Sequence, residues 1–169
     1  MKVLETERLV LRRVAREDAP FILVLVNEPA WLRFIGDRGV KTLEDAWGYI
    51  ANGPLVSYER HGFGLYLVER KSDGAPLGMC GLLKRDSLEH VDIGYALLPA
   101  YWGQGYAQEA VSATLAYGRK DLGLKRVAAI VSNDNASSIK VLERQGMKFE
   151  KHIRMPGASE DISLYLTTP

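Results

Sequence analysis

The spacing of apolar positions predicts a strand and two helices in the first third of the chain. The short apolar run Leu9-Val10-Leu11, within Arg8 to Arg13, predicts a first strand. Asp18 precedes Ala19-Pro20, and proline is favoured in the first turn of a helix, so a helix is predicted from here to about Asn27. A further helix is predicted near Leu43 to Ala51, within an aromatic-rich segment whose pattern is hard to interpret.

The middle of the chain shows the pattern of an antiparallel hairpin. Two strand-like runs over 63–70 and 75–84 flank Lys71-Ser72-Asp73-Gly74, and Asp-Gly tolerates the positive φ that a tight turn requires. Strands and helices then alternate to the end of the chain. The predicted elements are a strand over 90–99, a helix over 107–118, a strand over 125–132, a helix over 139–146, and a final strand pair over 147–155 and 161–167.

This order predicts an α/β fold with a mixed, mainly antiparallel central sheet and flanking helices. Its 169 residues contain no repeat and no linker-like segment, so we expect one domain over 1–169. The formal net charge is +1, which argues against recruitment by nucleic acid or by an anionic membrane. No apolar stretch has the length of a signal peptide core or a membrane span, so we expect a cytoplasmic protein. Cys80 is the only cysteine and the three histidines are scattered, so no metal site is predicted.

The segment Trp102-Gly103-Gln104-Gly105-Tyr106-Ala107 lies between a predicted strand and a predicted helix. Glycines at this position let the backbone approach an anion, and the helix N-terminus attracts negative charge, so a phosphate or pyrophosphate site is predicted. A Rossmann fingerprint would need a third glycine where Gln108 stands, and a Walker A loop would need Gly-Lys-Ser/Thr. The same turn can also serve only to join a strand tightly to a helix.

This loop is one of four stretches that match a single known family in the same order along the chain. They are Thr6–Arg12, Asp92–Leu97, Trp102–Ala110 and Asn135–Met147. Together they resemble the GNAT superfamily of N-acyltransferases and, within it, the RimJ/RimL-like ribosomal-protein N-acetyltransferases. The resemblance implies splayed central strands, acetyl-CoA as acyl donor, and an amine-bearing acceptor. The cofactor-binding residues that it implies are Ala96, Leu97, Leu98, Trp102, Gly103, Gln104, Gly105, Tyr106, Ala107, Asn135, Ser138 and Arg144.

The resemblance also suggests catalytic residues. The backbone N–H of Leu97 is the candidate for polarising the thioester carbonyl, a contribution of about 3 to 4 kcal/mol where such donors are preorganised. GNAT enzymes commonly have a proton-donating tyrosine where this chain has Glu143. The RimL-like branch carries a serine near the thiol at the position of Ser138, so the resemblance implies Ser138 as the proton donor, with simple filling of a helix turn as the alternative. Asp92 leads the candidates for the base, ahead of Glu89 and His90, with His61 as a distant fourth.

The free energy needed to deprotonate the acceptor amine indicates which class of acceptor is favoured. Deprotonating a lysine near pH 7.4 costs about 4 kcal/mol, whereas an α-amine costs less than about 1 kcal/mol. Because the sequence shows no strong base, a peptide N-terminus is favoured over lysine. Two other functions stay open, namely acetylation of a small-molecule amine and CoA binding without catalysis. The choice between monomer and homodimer is also open.

Overall fold

The strands and helices of the chain form one layered α/β structure. The computed structural model describes residues 1–169. The strands are β1 (Lys2–Glu5), β2 (Leu9–Arg13), β3 (Leu65–Arg70), β4 (Pro76–Leu83), β5 (Asp92–Leu97), β6 (Ala128–Val131), β7 (Lys148–Ile153) and β8 (Ile162–Leu166). The helices are α1 (Ala19–Leu25), α2 (Pro29–Phe34), α3 (Leu43–Asn52), α4 (Pro54–His61), α5 (Tyr106–Lys120) and α6 (Ala136–Arg144), with short 3-10 turns at Arg16–Asp18 and Pro99–Tyr101. None of the helices is long and apolar enough to cross a bilayer.

All eight strands join one sheet in the order β1-β2-β3-β4-β5-β6-β8-β7. Every neighbouring pair is antiparallel except β5 and β6, which are parallel. The predicted single-domain fold with a mainly antiparallel sheet is therefore confirmed. The β3–β4 hairpin is also confirmed, and Gly74 in its turn has the positive φ of +71° that was expected.

The parallel pair β5–β6 is joined only at its start. Asp92 pairs with Ala128, and the Ala128 N–H donates to the Val91 carbonyl at 2.9 Å. Beyond this point the two strands have no further register pairs and diverge toward their C-terminal ends. We call this gap the fork, and it is the strand splaying that the resemblance implied.

Two hydrophobic clusters cover the two faces of the sheet. The first contains residues of α5 and α6, such as Val111 and Leu142, packed on Ile93 and Leu97. The second contains residues of α1, α2 and α3 together with Met79. Because side chains alternate along β5, Leu97 belongs to the first cluster, whereas Ala96 packs against the second. The fork is thus bordered by helices on both faces.

Three elements were not anticipated from the sequence. β1 has only four residues, with exposed ends and half-buried middle positions, and so gives little apolar contrast. α2 and α4 each have proline at the start, a signal that could have located both helices. Both lie in the aromatic segment, where most rings serve packing. Trp31 is buried in the second cluster, and Tyr58 stacks on Tyr66 with ring centroids 5.5 Å apart.

Candidate active site

The backbone of β5 presents its polar groups alternately to β4 and to the fork. The Leu98 N–H donates to the Leu77 carbonyl at 2.8 Å, so this residue pair is a hydrogen-bonded pair of the antiparallel ladder. Such pairs alternate with pairs whose N–H and C=O groups point the other way. Leu97, opposite Gly78, is of the second kind, as is Tyr95 opposite Cys80. Their backbone N–H groups therefore face the fork, beyond the last β5–β6 pair.

The backbone carbonyl of Leu97 already accepts a hydrogen bond from within the chain. Trp102 donates its indole N–H to that carbonyl at 2.9 Å, although about half of the tryptophan side chain is exposed. This contact places Trp102 at the open end of the fork and fixes the direction of the last peptide of β5. The Leu97 N–H is left available for a ligand, which matches the oxyanion role predicted for it.

The predicted phosphate loop leads directly into α5. Gly103 and Gly105 have φ values of +73° and +81°, a conformation that strongly favours glycine, and Gly105 is the N-cap of α5. Residues 103–105 are exposed, while the side chain of Tyr106 is buried under the first turn. An exposed loop of positive-φ glycines before the N-terminus of a long helix fits a pyrophosphate group.

Arg8, the residue immediately before β2, supports the loop, a connection that the sequence analysis missed. Arg8 donates through Nη1 to the Gln104 carbonyl at 2.9 Å, and its guanidinium lies 4.3 Å from the centroid of the Tyr106 ring. Glu109 accepts hydrogen bonds from Thr6 Oγ1, from the Arg8 N–H at 2.9 Å and from Arg8 Nε at 2.7 Å. Two of the stretches that carry the family resemblance, around Thr6–Arg8 and Glu109, are therefore in physical contact.

This contact affects the ionisation of Glu109. Burial alone would raise the pKa of its carboxyl group, but the hydrogen bonds from Thr6 and Arg8 outweigh burial and lower that pKa below its ordinary value. The carboxylate is therefore charged at neutral pH and remains an acceptor for all of its donors.

α6 begins beside the fork with Asn135 as its N-cap. The Asn135 side-chain oxygen accepts from the Ser138 N–H at 3.3 Å, as the capping alternative predicted. The Ser138 side chain lies near the phenol of Tyr95 on β5, where it lowers the pKa of that phenol against the larger, raising effect of burial. The structure thus brings Ser138 near the strand that carries Leu97.

Arg144 lies at the opposite end of α6 from Asn135. Gln108, in the first turn of α5, donates through Nε2 to the Val141 carbonyl at 3.3 Å, so the C-terminal half of α6 lies beside the N-terminal turn of α5. Arg144 is one turn beyond Val141, exposed, and forms no ion pair with an acidic side chain. Lys140 is exposed on the same helix face. These two cations are available to phosphate groups near the loop.

Asp92 is placed differently from the other predicted catalytic residues. It lies at the closed end of the fork, 1% exposed, and both of its carboxylate oxygens contact Arg85 Nε, at 3.1 and 3.3 Å. Burial raises the pKa of Asp92, and Arg85 opposes that effect. Strand alternation also points its side chain to the face opposite Tyr95. This placement does not support the role of general base that the sequence suggested for Asp92.

On the face opposite α5 and α6, α2 borders the open end of the fork. Ser132, just after β6, donates through its hydroxyl to the Phe34 carbonyl at 3.3 Å. Arg33 also forms an exposed ion pair with Asp134, with 3.1 Å between Nη2 and Oδ2. These contacts connect α2 to the loop between β6 and α6 and form the rim of the fork on this face.

Comparison with known proteins agrees with this geometry. Residues 8–148 match the family described as the Acetyltransferase (GNAT) domain. The chain therefore belongs to the GNAT acetyltransferase family and is an acyltransferase, and acetyl-CoA is the acyl donor that this fold uses.

Individual relatives span nearly the whole chain. An N-acetyltransferase of Bacillus subtilis named YoaA, itself uncharacterized, is 29% identical over 153 residues, which are 90% of this chain and 86% of the relative. The crystal structure of an acetyltransferase from Agrobacterium tumefaciens superposes with a TM-score of 0.82 at 26% identity, covering 100% of this chain and 95% of that one. RimL, described as a ribosomal L7/L12 alpha-N-protein acetyltransferase and solved with coenzyme A, gives a TM-score of 0.81 at 18% identity, covering 99% and 98%. At that identity the likeness to RimL concerns the fold alone.

Proposed function

We propose that this protein is a cytoplasmic N-acetyltransferase that moves the acetyl group of acetyl-CoA to the N-terminal α-amine of a protein or peptide. The observation that carries the proposal is the Leu97 N–H, which faces an open fork while its own carbonyl is held by Trp102. A backbone donor fixed in this way is suited to a carbonyl oxygen that gains negative charge during acyl transfer.

The residues around the fork fit coenzyme A. The loop of Gly103 and Gly105 takes the pyrophosphate, Arg144 takes further negative charge, and the backbone of residues 96–98 lies along the pantetheine arm. The bound thioester supplies an activated acetyl group. The chain itself orients the reaction: Leu97 donates to the carbonyl oxygen, and Ser138 is the hydroxyl on the side of the leaving sulfur.

The acceptor then approaches from the face that carries α2. The other face is covered by α5 and α6, so an amine reaches the fork past the rim formed by Arg33, Phe34 and Asp134.

The lack of a free base in the fork favours an α-amine. Asp92 is buried and paired with Arg85, and an α-amine with a pKa of about 7.7 to 8.0 needs little help to lose its proton, unlike a lysine at about 10.4. RimL, which shares this fold, is described as an alpha-N-protein acetyltransferase, so the fold can accommodate an acceptor of this class.

The test is release of free CoA thiol from acetyl-CoA in the presence of peptides with free N-termini, N-terminally blocked peptides containing lysine, and small primary amines. Thiol release that requires a free N-terminus supports the proposal. Preference for a small amine would point to small-molecule acetylation instead. Tight CoA binding with no thiol release from any amine would indicate a silent CoA-binding module.

A further inference from the structure

Two glycines on β4 stand where the neighbouring strands leave no room for a side chain. β4 lies between β3 and β5 in the sheet. A Cβ atom at Gly78 would lie 2.0 Å from the carbonyl oxygen of Ala96 on the β5 side, and one at Gly81 would lie 2.0 Å from the carbonyl oxygen of Gly64 on the β3 side. Because Cβ atoms keep at least 3.0 Å from such neighbours, a methyl group at either glycine would displace a backbone carbonyl by about 1 Å.

The carbonyl that Gly78 accommodates belongs to the same peptide unit as the Leu97 N–H. A trans peptide is planar, with its C=O and N–H on opposite sides, so the Ala96 oxygen points to β4 while the Leu97 hydrogen points into the fork. The atoms of this unit move together. A displacement of the Ala96 oxygen therefore also displaces the donor assigned to the thioester carbonyl.

The position of this peptide is determined by β4. The last register pair between β5 and β6 lies at the closed end of the fork, so β6 does not support the peptide. On the other side, the Leu98 N–H donates to the Leu77 carbonyl at 2.8 Å, and Met79 pairs with Ala96. Gly78 lies between these two pairs, and its missing side chain allows the close approach of the peptide to β4.

We propose that Gly78 is a positioning residue, whose lack of a side chain lets β4 hold the peptide between Ala96 and Leu97 so that its N–H meets the thioester carbonyl oxygen. This inference rests on the function proposed above. In the reaction the amine nitrogen bonds to the acetyl carbon, and the π electrons of the C=O bond move to the oxygen that Leu97 contacts. That electron pair re-forms the carbonyl as the C–S bond breaks with its electrons on sulfur. The proton lost by the amine balances the thiol that is formed, and the peptide ends unchanged.

Gly78→Ala and Gly81→Ala form a matched pair, because each adds one methyl group to β4 and each methyl meets a carbonyl oxygen at 2.0 Å. The first presses on β5 at the fork, and the second presses on the start of β3, on the other side of β4. Thermal unfolding gives a temperature at which wild type and both variants are folded, and kcat and the dissociation constant of CoA are measured there.

Gly78→Ala should lower kcat about 10²-fold, the typical effect of losing one oxyanion donor, while the dissociation constant of CoA changes less than about 10-fold. Gly81→Ala should keep kcat within about 3-fold of wild type, because the reacting groups keep their positions. Equal losses of kcat in the two variants would overturn the proposal. Full activity of Gly78→Ala, or a loss confined to CoA affinity, would overturn it as well.

A second readout needs no acceptor amine. Acetyl-CoA labelled with ¹³C at the acetyl carbonyl is bound to each protein, and its carbonyl resonance is compared with that of the free thioester. A hydrogen bond to the oxygen polarises the carbonyl, so the resonance should move downfield in wild type and in Gly81→Ala but return toward the free value in Gly78→Ala. A resonance shifted equally in all three proteins would contradict the role of Gly78.

Wild-type protein decides the question if Gly78→Ala does not fold. The α-protons of Gly78 and Leu97 should give a strong nuclear Overhauser effect, because the Cα atoms of such a pair lie close together. Acetyl-CoA should also move the Leu97 amide proton downfield. The amide proton of Leu98, which is bonded to Leu77, is the control and should not move in this way. Absence of the Overhauser effect, or an unmoved Leu97 amide, would overturn the proposal.

The two proposals fail differently. If wild-type protein polarises the bound acetyl group but acetylates no amine, only the proposed function fails. If wild-type protein acetylates amines and the two glycine variants behave alike, only the role of Gly78 is overturned.

Discussion

Two hydrogen bonds join Arg8, the residue before β2, to Glu109 in the first turn of α5, the helix that follows the phosphate loop. Arg8 donates to the Glu109 carboxylate through both its backbone N–H, at 2.9 Å, and its Nε, at 2.7 Å. The same guanidinium reaches the Gln104 carbonyl at 2.9 Å. One ion pair therefore fixes both the first turn of α5 and the backbone of the loop before it.

Glu109→Gln should lower the free energy of unfolding by about 1–2 kcal/mol at pH 7, because it weakens charged hydrogen bonds that are partly screened by water. Glu44→Gln is the control, since Glu44 is also in the first turn of a helix but is exposed and forms no salt bridge. It should change stability by less than about 0.5 kcal/mol. Urea denaturation measures both, and equal effects of the two variants would contradict the account.

The same pair predicts a pH dependence. The pKa of Glu109 is lower in the folded protein than in the unfolded chain, so its stabilisation is complete above the unfolded value of about 4.3 and disappears as pH falls through the folded value. The stability difference between wild type and Glu109→Gln should therefore shrink in acid. A difference that stays constant from about pH 7 to about pH 3 would contradict the assigned shift.

Local elements were predictable because their signals lie close together in sequence. The hairpin turn at Asp73-Gly74 and the helix after Gly105 each depend on a few adjacent residues. The contact of Arg8 with Glu109 joins residues 101 positions apart, and no periodicity encodes such a pair. The resemblance indicated that both belonged to a motif, but only the fold shows that the motifs touch.

The site was only partly predictable, because some of its features depend on contacts between elements that are far apart in sequence. The sequence located the phosphate loop and the fork strand, yet which amides of β5 face the fork depends on its register with β4. Tyr95 was passed over because a tyrosine in an alternating strand is ordinarily a core residue. Its proximity to Ser138, on another element, is visible only in the fold.

Gly105→Ala should weaken CoA binding at least about 10-fold. A Cβ at Gly105 would lie 3.2 Å from Arg8 Nη2, and its φ of +81° is unfavourable for alanine by roughly 1–2 kcal/mol. Gly123→Ala carries a similar backbone cost at φ +66° with no neighbour within 4 Å, and Gly123 lies after the far end of α5. Titration calorimetry should therefore show normal CoA affinity for Gly123→Ala. Equal affinities of the two variants would exclude the loop as the phosphate site.

Trp102→Phe removes the indole donor to the Leu97 carbonyl but keeps an aromatic ring. The loss of one hydrogen bond is worth about 1 kcal/mol, so CoA affinity should fall about 5-fold. Trp47→Phe is the control, because the Trp47 ring packs under Arg16, 5.1 Å from its centroid, in the α3 region. If Trp102→Phe binds CoA as wild type does, the indole does not organise the end of β5.

Asp92→Asn tests whether a base was overlooked. A general base typically contributes about 10²- to 10⁴-fold, whereas our account gives Asp92 the structural task of pairing with Arg85. We expect kcat/KM for an α-amine to fall less than about 10-fold in protein that remains folded, with stability as the main loss. A fall of about 10²-fold or more, together with a changed pH–rate profile, would restore Asp92 as the base.

The central claim is tested most directly by locating the acetyl group. A peptide with both a free N-terminus and an internal lysine is incubated with acetyl-CoA near pH 7, and tandem mass spectrometry identifies the modified nitrogen. The account predicts acetylation chiefly at the N-terminus, with lysine modification increasing disproportionately as pH rises, because the lysine must lose a proton that costs about 3 kcal/mol more to remove. Predominant lysine acetylation at neutral pH, or no acetylation of the peptide, would contradict it.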